Sequence, residues 1–300
     1  MMKNITRRAS GGVVMLVCAA LSGCGKTDSA PPVATVSLVL SKKAVNVGSV
    51  LDLTYRFHVA EGARINADYR VFVHVTREDG TSIWNDDHEL PEAQRTSRWQ
   101  PGQTIEYTRT RFVPALSYLG PATIEVGLYK DDERLPLSGP KPEDRESRGR
   151  SYKVADLELL PRSEDLRVVF LNGWHQTEYS TDNPTVDWQW TQKVATLSVR
   201  NPKRDATFFL EYDTRPDLAG GKPQQITIYC GDAQVASFPA GGATASLQRI
   251  PVTAAQLGGG EMVEFRIEVD PTFVPAKLPN AGNDVRELGI RVHHLLVELK

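Results

Sequence analysis

Two stretches of this chain alternate strictly between apolar and polar residues, and that alternation limits the folds it can adopt. In residues 51–59 every odd-numbered position is apolar, and the positions between them are polar or charged. Residues 263–269 repeat the pattern, with charged residues at the even-numbered positions. A period of two residues is typical of a β-strand with one face in a core and the other in water. The sequence therefore predicts sheets that pack through one face.

Short segments of this kind recur along the chain, and no window of a dozen residues predicts an amphipathic helix. A chain of 300 residues fits two domains better than one. The predicted fold class is all-β, with an immunoglobulin-like β-sandwich over residues 34–160 and a jelly-roll-like β-sandwich over residues 166–300. In the first domain we expect strands at residues 51–59, 69–75, 104–112, 123–129 and 151–159, with a turn at Glu78-Asp79-Gly80.

Two polar segments rich in Pro and charge separate these strands. Residues 138–150 predict an exposed loop before the last strand of the first domain, and residues 161–165 predict the linker between the domains.

The C-terminal strand changes parity part-way along. Ile290 and Val292 share one face, whereas Leu295, Val297 and Leu299 occupy positions of the opposite parity. A strand can change parity only at a bulge or a break, so we predict a bulge at His293 and His294. On a regular strand these two adjacent histidines would face opposite ways and could not share a metal ion.

The segment Leu21-Ser22-Gly23-Cys24 has the form of a bacterial lipobox, in which a peptidase cuts before the cysteine and the thiol carries lipid. It follows a positively charged start and an apolar run too short to span a bilayer. Residues 1–23 are therefore predicted to be a lipoprotein signal peptide, and residues 24–33 a lipidated cysteine and flexible tether. The alternative is an ordinary secretory signal that is cleaved further on.

Lipidation of Cys24 would attach the protein to a lipid bilayer. Gly25 follows the cysteine, and in similar lipoproteins the absence of Asp at that position favours the outer membrane, facing the periplasm. Loss of the signal removes three positive charges and no negative ones, so the net charge falls from −2 to −5. This mixed, mildly acidic charge predicts no nucleic-acid partner. Cys230 alternates with two isoleucines and is predicted to pack as a small buried hydrophobe.

Several motifs resemble known envelope domains. The second half resembles β-sandwich domains appended to membrane glycosyltransferases and to other envelope-glycan proteins, through Gly173-Trp174-His175, Trp188-x-Trp190 and residues 284–290. The first half resembles the immunoglobulin-like domains of membrane-bound sugar transferases, through residues 69–75, 98–102, 125–129 and 134–136. Those enzymes carry a multi-spanning catalytic part where this sequence has a lipid anchor, so the resemblance implies no transferase activity.

The candidate glycan-binding residues are Trp174, His175, Glu178, Arg286 and Glu287. The first three follow a glycine at a predicted strand end, where they offer one aromatic face and two hydrogen-bonding groups. We expect the other two to approach the same end of the second sandwich. A structural role for Trp174, in a corner of the fold, is the alternative.

Trp188 and Trp190 are two residues apart and share a strand face with Val186, which favours packing in the core over sugar binding.

An acidic cluster at Asp79, Asp86, Asp87, His88 and Glu89 offers oxygen ligands but lacks the spacing of a calcium loop. It predicts a solvated polar loop, and no metal ion or other cofactor is expected.

The sequence contains no nucleophile elbow, no phosphate-binding loop and no Cys/His pair of the nucleophilic type. The predicted function is that of a non-catalytic envelope lipoprotein that binds glycan or a partner protein, in polysaccharide synthesis or export. The alternative is a hydrolase acting on envelope glycan with a site between the two domains.

Replacement of Cys24 by serine tests the lipid anchor. Cys24→Ser removes the thiol that carries the lipid, so the precursor should stay uncleaved at this site and incorporate no labelled fatty acid. Gel mobility and labelling with a fatty-acid analogue measure both. A Cys24→Ser protein that is processed and fractionates with membranes like the wild type would contradict the lipobox.

Overall fold

A computed structural model describes residues 30–140, 149–182, 186–221 and 223–299 of the chain. Within those residues the alternating segments form twenty β-strands. The first ten are β1 (Ala34–Leu40), β2 (Ala44–Asn46), β3 (Val50–Val59), β4 (Arg70–Thr76), β5 (Ser82–Asn85), β6 (Thr104–Phe112), β7 (Gly120–Lys130), β8 (Glu133–Arg134), β9 (Leu137–Ser138) and β10 (Tyr152–Leu160). The others are β11 (Val168–Phe170), β12 (Glu178–Tyr179), β13 (Asp187–Trp190), β14 (Val194–Arg200), β15 (Ala206–Asp213), β16 (Gln225–Cys230), β17 (Ala233–Pro239), β18 (Ser246–Val252), β19 (Met262–Asp270) and β20 (Arg291–Leu299).

The first sandwich consists of two facing sheets, in the strand orders β6-β3-β1-β9 and β2-β10-β7-β4-β5, with β8 paired to β7. The apolar face of β3 lies in the core between them, where Tyr55 and Phe57 are fully buried. Val71 on β4 and Leu128 on β7 pack into the same core from the facing sheet. The five strands expected in this half are therefore present, as is the turn at Gly80, which has a φ of +81°.

The second sandwich pairs a sheet of order β11-β14-β19-β16-β17 with one of order β12-β13-β20-β15-β18. Phe265 of β19 stacks on Phe208 of β15 across the core, with ring centroids 4.7 Å apart. Cys230 is buried beside them, as its alternation predicted, and burial raises the pKa of its thiol to about 11. The predicted all-β fold class is thus confirmed. The described residues include one four-residue α-helix, α1 (Ala254–Leu257), and no helix that could cross a membrane.

The bulge predicted in the last strand is present. Along β20, His294 pairs with Glu211 and Val292 pairs with the next residue, Tyr212, so His293 is the extra residue. The bulge also turns both histidines to one face, contrary to the expectation for a regular strand. His293 reaches Asp213 and His294 reaches Glu211, and these two carboxylates point the same way because they are two residues apart on β15.

The outer face of sheet β12-β13-β20-β15-β18 packs against the end of the first sandwich. Phe209 and Leu296 form an apolar cluster with Val50 and Phe112 of the first sandwich. Ion pairs surround it: Asp52 with Arg249 at 3.2 Å, and Lys42 with Glu298 at 2.5 Å. Leu166, the residue after the predicted linker, packs against the same cluster and belongs to a 3₁₀ turn, Glu164–Leu166, capped by Ser163.

Two predicted segments lie wholly or partly outside the described residues. The signal peptide, Cys24 and most of the tether belong to residues 1–29, and most of the predicted loop at 138–150 belongs to residues 141–148.

Substitution of Gly173 tests a close backbone contact in the second sandwich. Gly173 has a φ of +78°, and an added Cβ would lie 1.9 Å from the carbonyl oxygen of Val194. Gly173→Ala should therefore lower the free energy of unfolding by about 2–4 kcal/mol in urea denaturation. Gly259→Ala is the control, because a Cβ there meets nothing within 4 Å. Equal stability of the two variants would contradict this packing.

Candidate functional site

β13 presents two tryptophans on the outer face of its sheet. Trp190 is only 6% exposed, because it lies in a small apolar cluster with Phe273 and Leu288. Trp188, two residues earlier on the same face, remains half-buried at the edge of that cluster. Trp190 is therefore packed in apolar surroundings, as predicted, but both tryptophans lie outside the core between the two sheets, and Trp188 is only partly covered. Val186, which was expected to share their buried face, is 40% exposed.

The carboxylate of Glu178 is held in place beside Trp188. Its Oε2 accepts hydrogen bonds from the indole N–H of Trp188, at 3.2 Å, and of Trp190, at 3.3 Å. Its Oε1 lies 2.7 Å from a guanidinium nitrogen of Arg286, which also pairs with Asp284 at 2.6 Å. The hydrogen bonds from Arg286 lower the pKa of Asp284, and that carboxylate in turn raises the pKa of Arg286. All three charged side chains are about one-third exposed.

A second charged group covers part of Trp188. The guanidinium of Arg291 lies 4.9 Å from the Trp188 ring centroid, and Asp213 holds it through two hydrogen bonds of 2.6 and 2.9 Å. The imidazole of His293 meets Trp188 edge-on and also bonds to Asp213, at 2.8 Å. The indole is therefore fixed in orientation by groups on the same sheet face.

Four of the five predicted site residues come together, one of them, Glu287, through its backbone only. His175 Nε2 lies 2.7 Å from the backbone oxygen of Glu287, and Glu178 pairs with Arg286. The segment 284–289 thus approaches the strand end that carries His175 and Glu178, as predicted. The carboxylate of Glu287 accepts a hydrogen bond from Thr272 instead of joining the cluster.

Trp174 lies apart from that cluster. Its indole N–H donates to the backbone oxygen of Thr196, at 2.7 Å, and its ring meets Phe170 edge-on. It also packs against the core of the second sandwich. These contacts favour the structural alternative for Trp174. Trp188 is the aromatic residue beside Glu178, and sequence reasoning placed it in the core.

The predicted acidic loop of the first sandwich is only partly solvated. Asp86 and His88 are buried, and the Asp86 carboxylate pairs with Arg109 at 3.1 Å and Arg111 at 2.9 Å. His88 Nδ1 lies 2.7 Å from the Asp86 backbone oxygen, and its Nε2 lies 2.8 Å from the Tyr107 hydroxyl. Burial, reinforced by the charge of Arg109, lowers the pKa of His88 to about 4. The described part of the chain contains no group of three or more His, Cys, Asp and Glu side chains placed to hold a metal ion.

A cleft of about 560 Å³ lies where the linker meets both sandwiches. Lys42, Asp165, Arg200 and Glu298 contribute its charged groups. Glu298 pairs with Lys42, and Asp165 pairs with Arg200 at 3.0 Å, so each carboxylate in the cleft is held by a cation.

No protein-family model matches the chain, and a search of curated proteins finds no match either. Among solved structures, a β-glucuronidase of Bacteroides uniformis is 10% identical, with a TM-score of 0.30, over 88% of this chain and 30% of that one. The CBM51-2 and INT domains of Clostridium perfringens ZmpB are 11% identical, with a TM-score of 0.23, over 59% of this chain and 38% of that one. The alkylpurine DNA glycosylase AlkC of Pseudomonas fluorescens, bound to DNA, is 15% identical, with a TM-score of 0.28, over 44% of this chain and 31% of that one. The chain spans less than half of each of these proteins, and these likenesses establish no family for it.

The buried imidazole of His88 predicts a loss of stability in acid. Its pKa is about 4 in the fold against 6.5 in the unfolded chain, so protons bind the unfolded state more tightly. The stability that the neutral imidazole contributes is fully present above pH 6.5 and is lost as the pH falls towards 4. The free energy of unfolding should therefore fall by ~2–3 kcal/mol between pH 7.5 and 4.5.

Urea denaturation at several pH values measures that loss. His88→Gln should be less stable at neutral pH but should show a flatter dependence on pH than the wild type. His58→Gln, at an exposed position on β3, serves as the control. An unchanged slope in His88→Gln would contradict the assignment.

Proposed function

We propose that this chain is a non-catalytic lipoprotein of the cell envelope whose second sandwich binds glycan around Trp188, Glu178 and Arg286. The observation that carries the proposal is a partly exposed indole beside a carboxylate and a guanidinium that are already fixed by their mutual contacts. An aromatic face offers a stacking surface for the C–H groups of a pyranose ring, and planar charged groups hydrogen-bond to its hydroxyls. Because the groups are held before the ligand arrives, little conformational entropy is lost on binding.

The first sandwich serves as a spacer in this proposal. Along the β1–β3 pair, Ala34 lies opposite Val59, whereas Val50, at the other end of β3, pairs with Phe112 beside the second sandwich. The ten residues of β3 separate those two ends by about 30 Å. The tether would therefore join the first sandwich at the end that lies away from the second. We place the protein at the outer membrane, facing the periplasm, on the lipobox and Gly25.

Binding measurements with glycans test this function. Full-length protein in detergent is screened against fragments of peptidoglycan and of bacterial polysaccharides, and hits are measured by calorimetry. Trp188→Ala should weaken binding at least tenfold, because it removes the stacking surface, and Glu178→Gln should weaken it by removing a charged acceptor. Prolonged incubation should leave the bound glycan unshortened, since we propose no catalysis.

Tyr179→Ala is the matched control, because Tyr179 is 63% exposed on the same hairpin but pairs opposite Asp187, on the other face. Its affinity should equal that of the wild type. Trp174→Ala should lower the melting temperature, because it removes packed surface, while leaving affinity unchanged. The proposal fails if no glycan binds, or if Trp188→Ala binds as tightly as the wild type. Shortened glycan would instead support the hydrolase.

A further inference from the structure

Three rows of side chains cross the outer face of sheet β12-β13-β20-β15-β18, and two of them are covered. Trp190 and Arg291 pair across neighbouring strands in the first row, which lies beside the 273–288 segment. Phe209 and Leu296 pair in the third row, which lies beneath the first sandwich.

The middle row, here called the Trp188 row, contains Glu178, Trp188, His293, His294 and Glu211. Its members form two contacting groups, which the backbone joins between His293 and His294. Glu178 bonds to the Trp188 indole, whose ring meets His293, and His294 bonds to Glu211. From β12 to β15 the row crosses three strand spacings, or about 14 Å. This length exceeds what a single sugar ring beside Trp188 would occupy.

His294 presents an open nitrogen at the far end of this row. Its Nδ1 lies 2.8 Å from the Glu211 carboxylate, and its ring stacks on Phe112 of the first sandwich with centroids 5.0 Å apart. Nevertheless, 42% of its side chain is exposed, and the contacts of the described residues leave its Nε2 without a hydrogen bond. Because Nδ1 is used by the Glu211 carboxylate, Nε2 is the ring nitrogen that remains for a hydrogen bond with a ligand.

The first sandwich adds donors at the same place. Arg111 lies 3.4 Å from Glu211 through Nη1 and 2.9 Å from Asp86 through Nε, and its side chain is 33% exposed. Neither of these contacts uses its Nη2. Burial alone would raise the pKa of Glu211, but the hydrogen bond with His294 and the charge of Arg111 outweigh it and hold that pKa below its ordinary value. The carboxylate therefore stays ionised and keeps both partners in position.

The geometry points to a second glycan subsite at His294 and Arg111, where the two sandwiches meet. It rests on the proposed function, and it makes the ligand an oligosaccharide that lies along the Trp188 row, with its first sugar on Trp188. A hydroxyl of a later sugar hydrogen-bonds to His294 Nε2, and another accepts from Arg111 Nη2. Both sandwiches therefore contribute to one binding surface.

The subsite is tested with a series of oligosaccharides of increasing length, prepared from the polymer that binds best. Affinity of the full-length protein should rise with each added sugar and then level off once both subsites are filled. His294→Asn retains an amide nitrogen near the Nδ1 position, to bond with Glu211, and removes Nε2. It should bind the shortest fragment like the wild type and lose roughly three- to tenfold in affinity for the longer ones. Trp188→Ala should weaken binding of every length.

His58→Asn is the matched control, since His58 also uses Nδ1 in a side-chain hydrogen bond, with Thr104, far from the Trp188 row. This variant should bind oligosaccharides of every length with the affinity of the wild type. If wild-type affinity is independent of length, or if His294→Asn behaves as wild type on long fragments, the subsite is overturned while glycan binding at Trp188 stands. If no fragment binds, the proposed function itself is wrong.

Discussion

The extra residue at His293 determines which side chains of β20 point into the core of the second sandwich and which point outward. Before it, Ile290 and Val292 point into the core. After it, Val297 does so again, although the parity of the sequence has changed. Without the bulge, one of these two sets would face outward and the core would lose its apolar contacts. The same extra residue places two adjacent imidazoles on the outer face, each against a buried carboxylate. Core packing and surface chemistry thus depend on one local irregularity.

Arg111 and Glu211 show how the junction between the sandwiches accommodates buried charge. Removal of an ionised carboxylate from water is costly unless it is paired and hydrogen-bonded. Glu211 meets this condition with a histidine from its own sheet and an arginine from the first sandwich. That arginine, Arg111, also forms an ion pair with Asp86 on its other side. The apolar cluster around Phe112 and Phe209 supplies the non-directional attraction, and the charged groups fix the register in which the two sandwiches meet.

Most of the fold could be predicted from the sequence because a half-buried strand leaves a period of two residues. That signal was sufficient for the strands of the first sandwich and for the bulge, since a change of parity is visible in the order of residues alone. The two-residue period could not show which part of the structure covers each apolar face. Trp188 and Trp190 show the same apolar–polar alternation whether their side chains point between the two sheets or towards the outside of the sandwich. Only the tertiary structure shows that they lie outside the core between the sheets.

The burial of Asp86 and His88 escaped sequence reasoning for a related reason. Acidic residues in a loop predict solvation unless their partners are known, and here the partners are two arginines more than twenty residues further along the chain. Those arginines follow Tyr107 on the inward-facing positions of β6, where the strand lies at the edge of its sheet. An inward charge at a sheet edge also discourages pairing with another chain. One of the two then continues to Glu211, so the charge that protects this edge also contributes to the junction at which the second subsite is proposed.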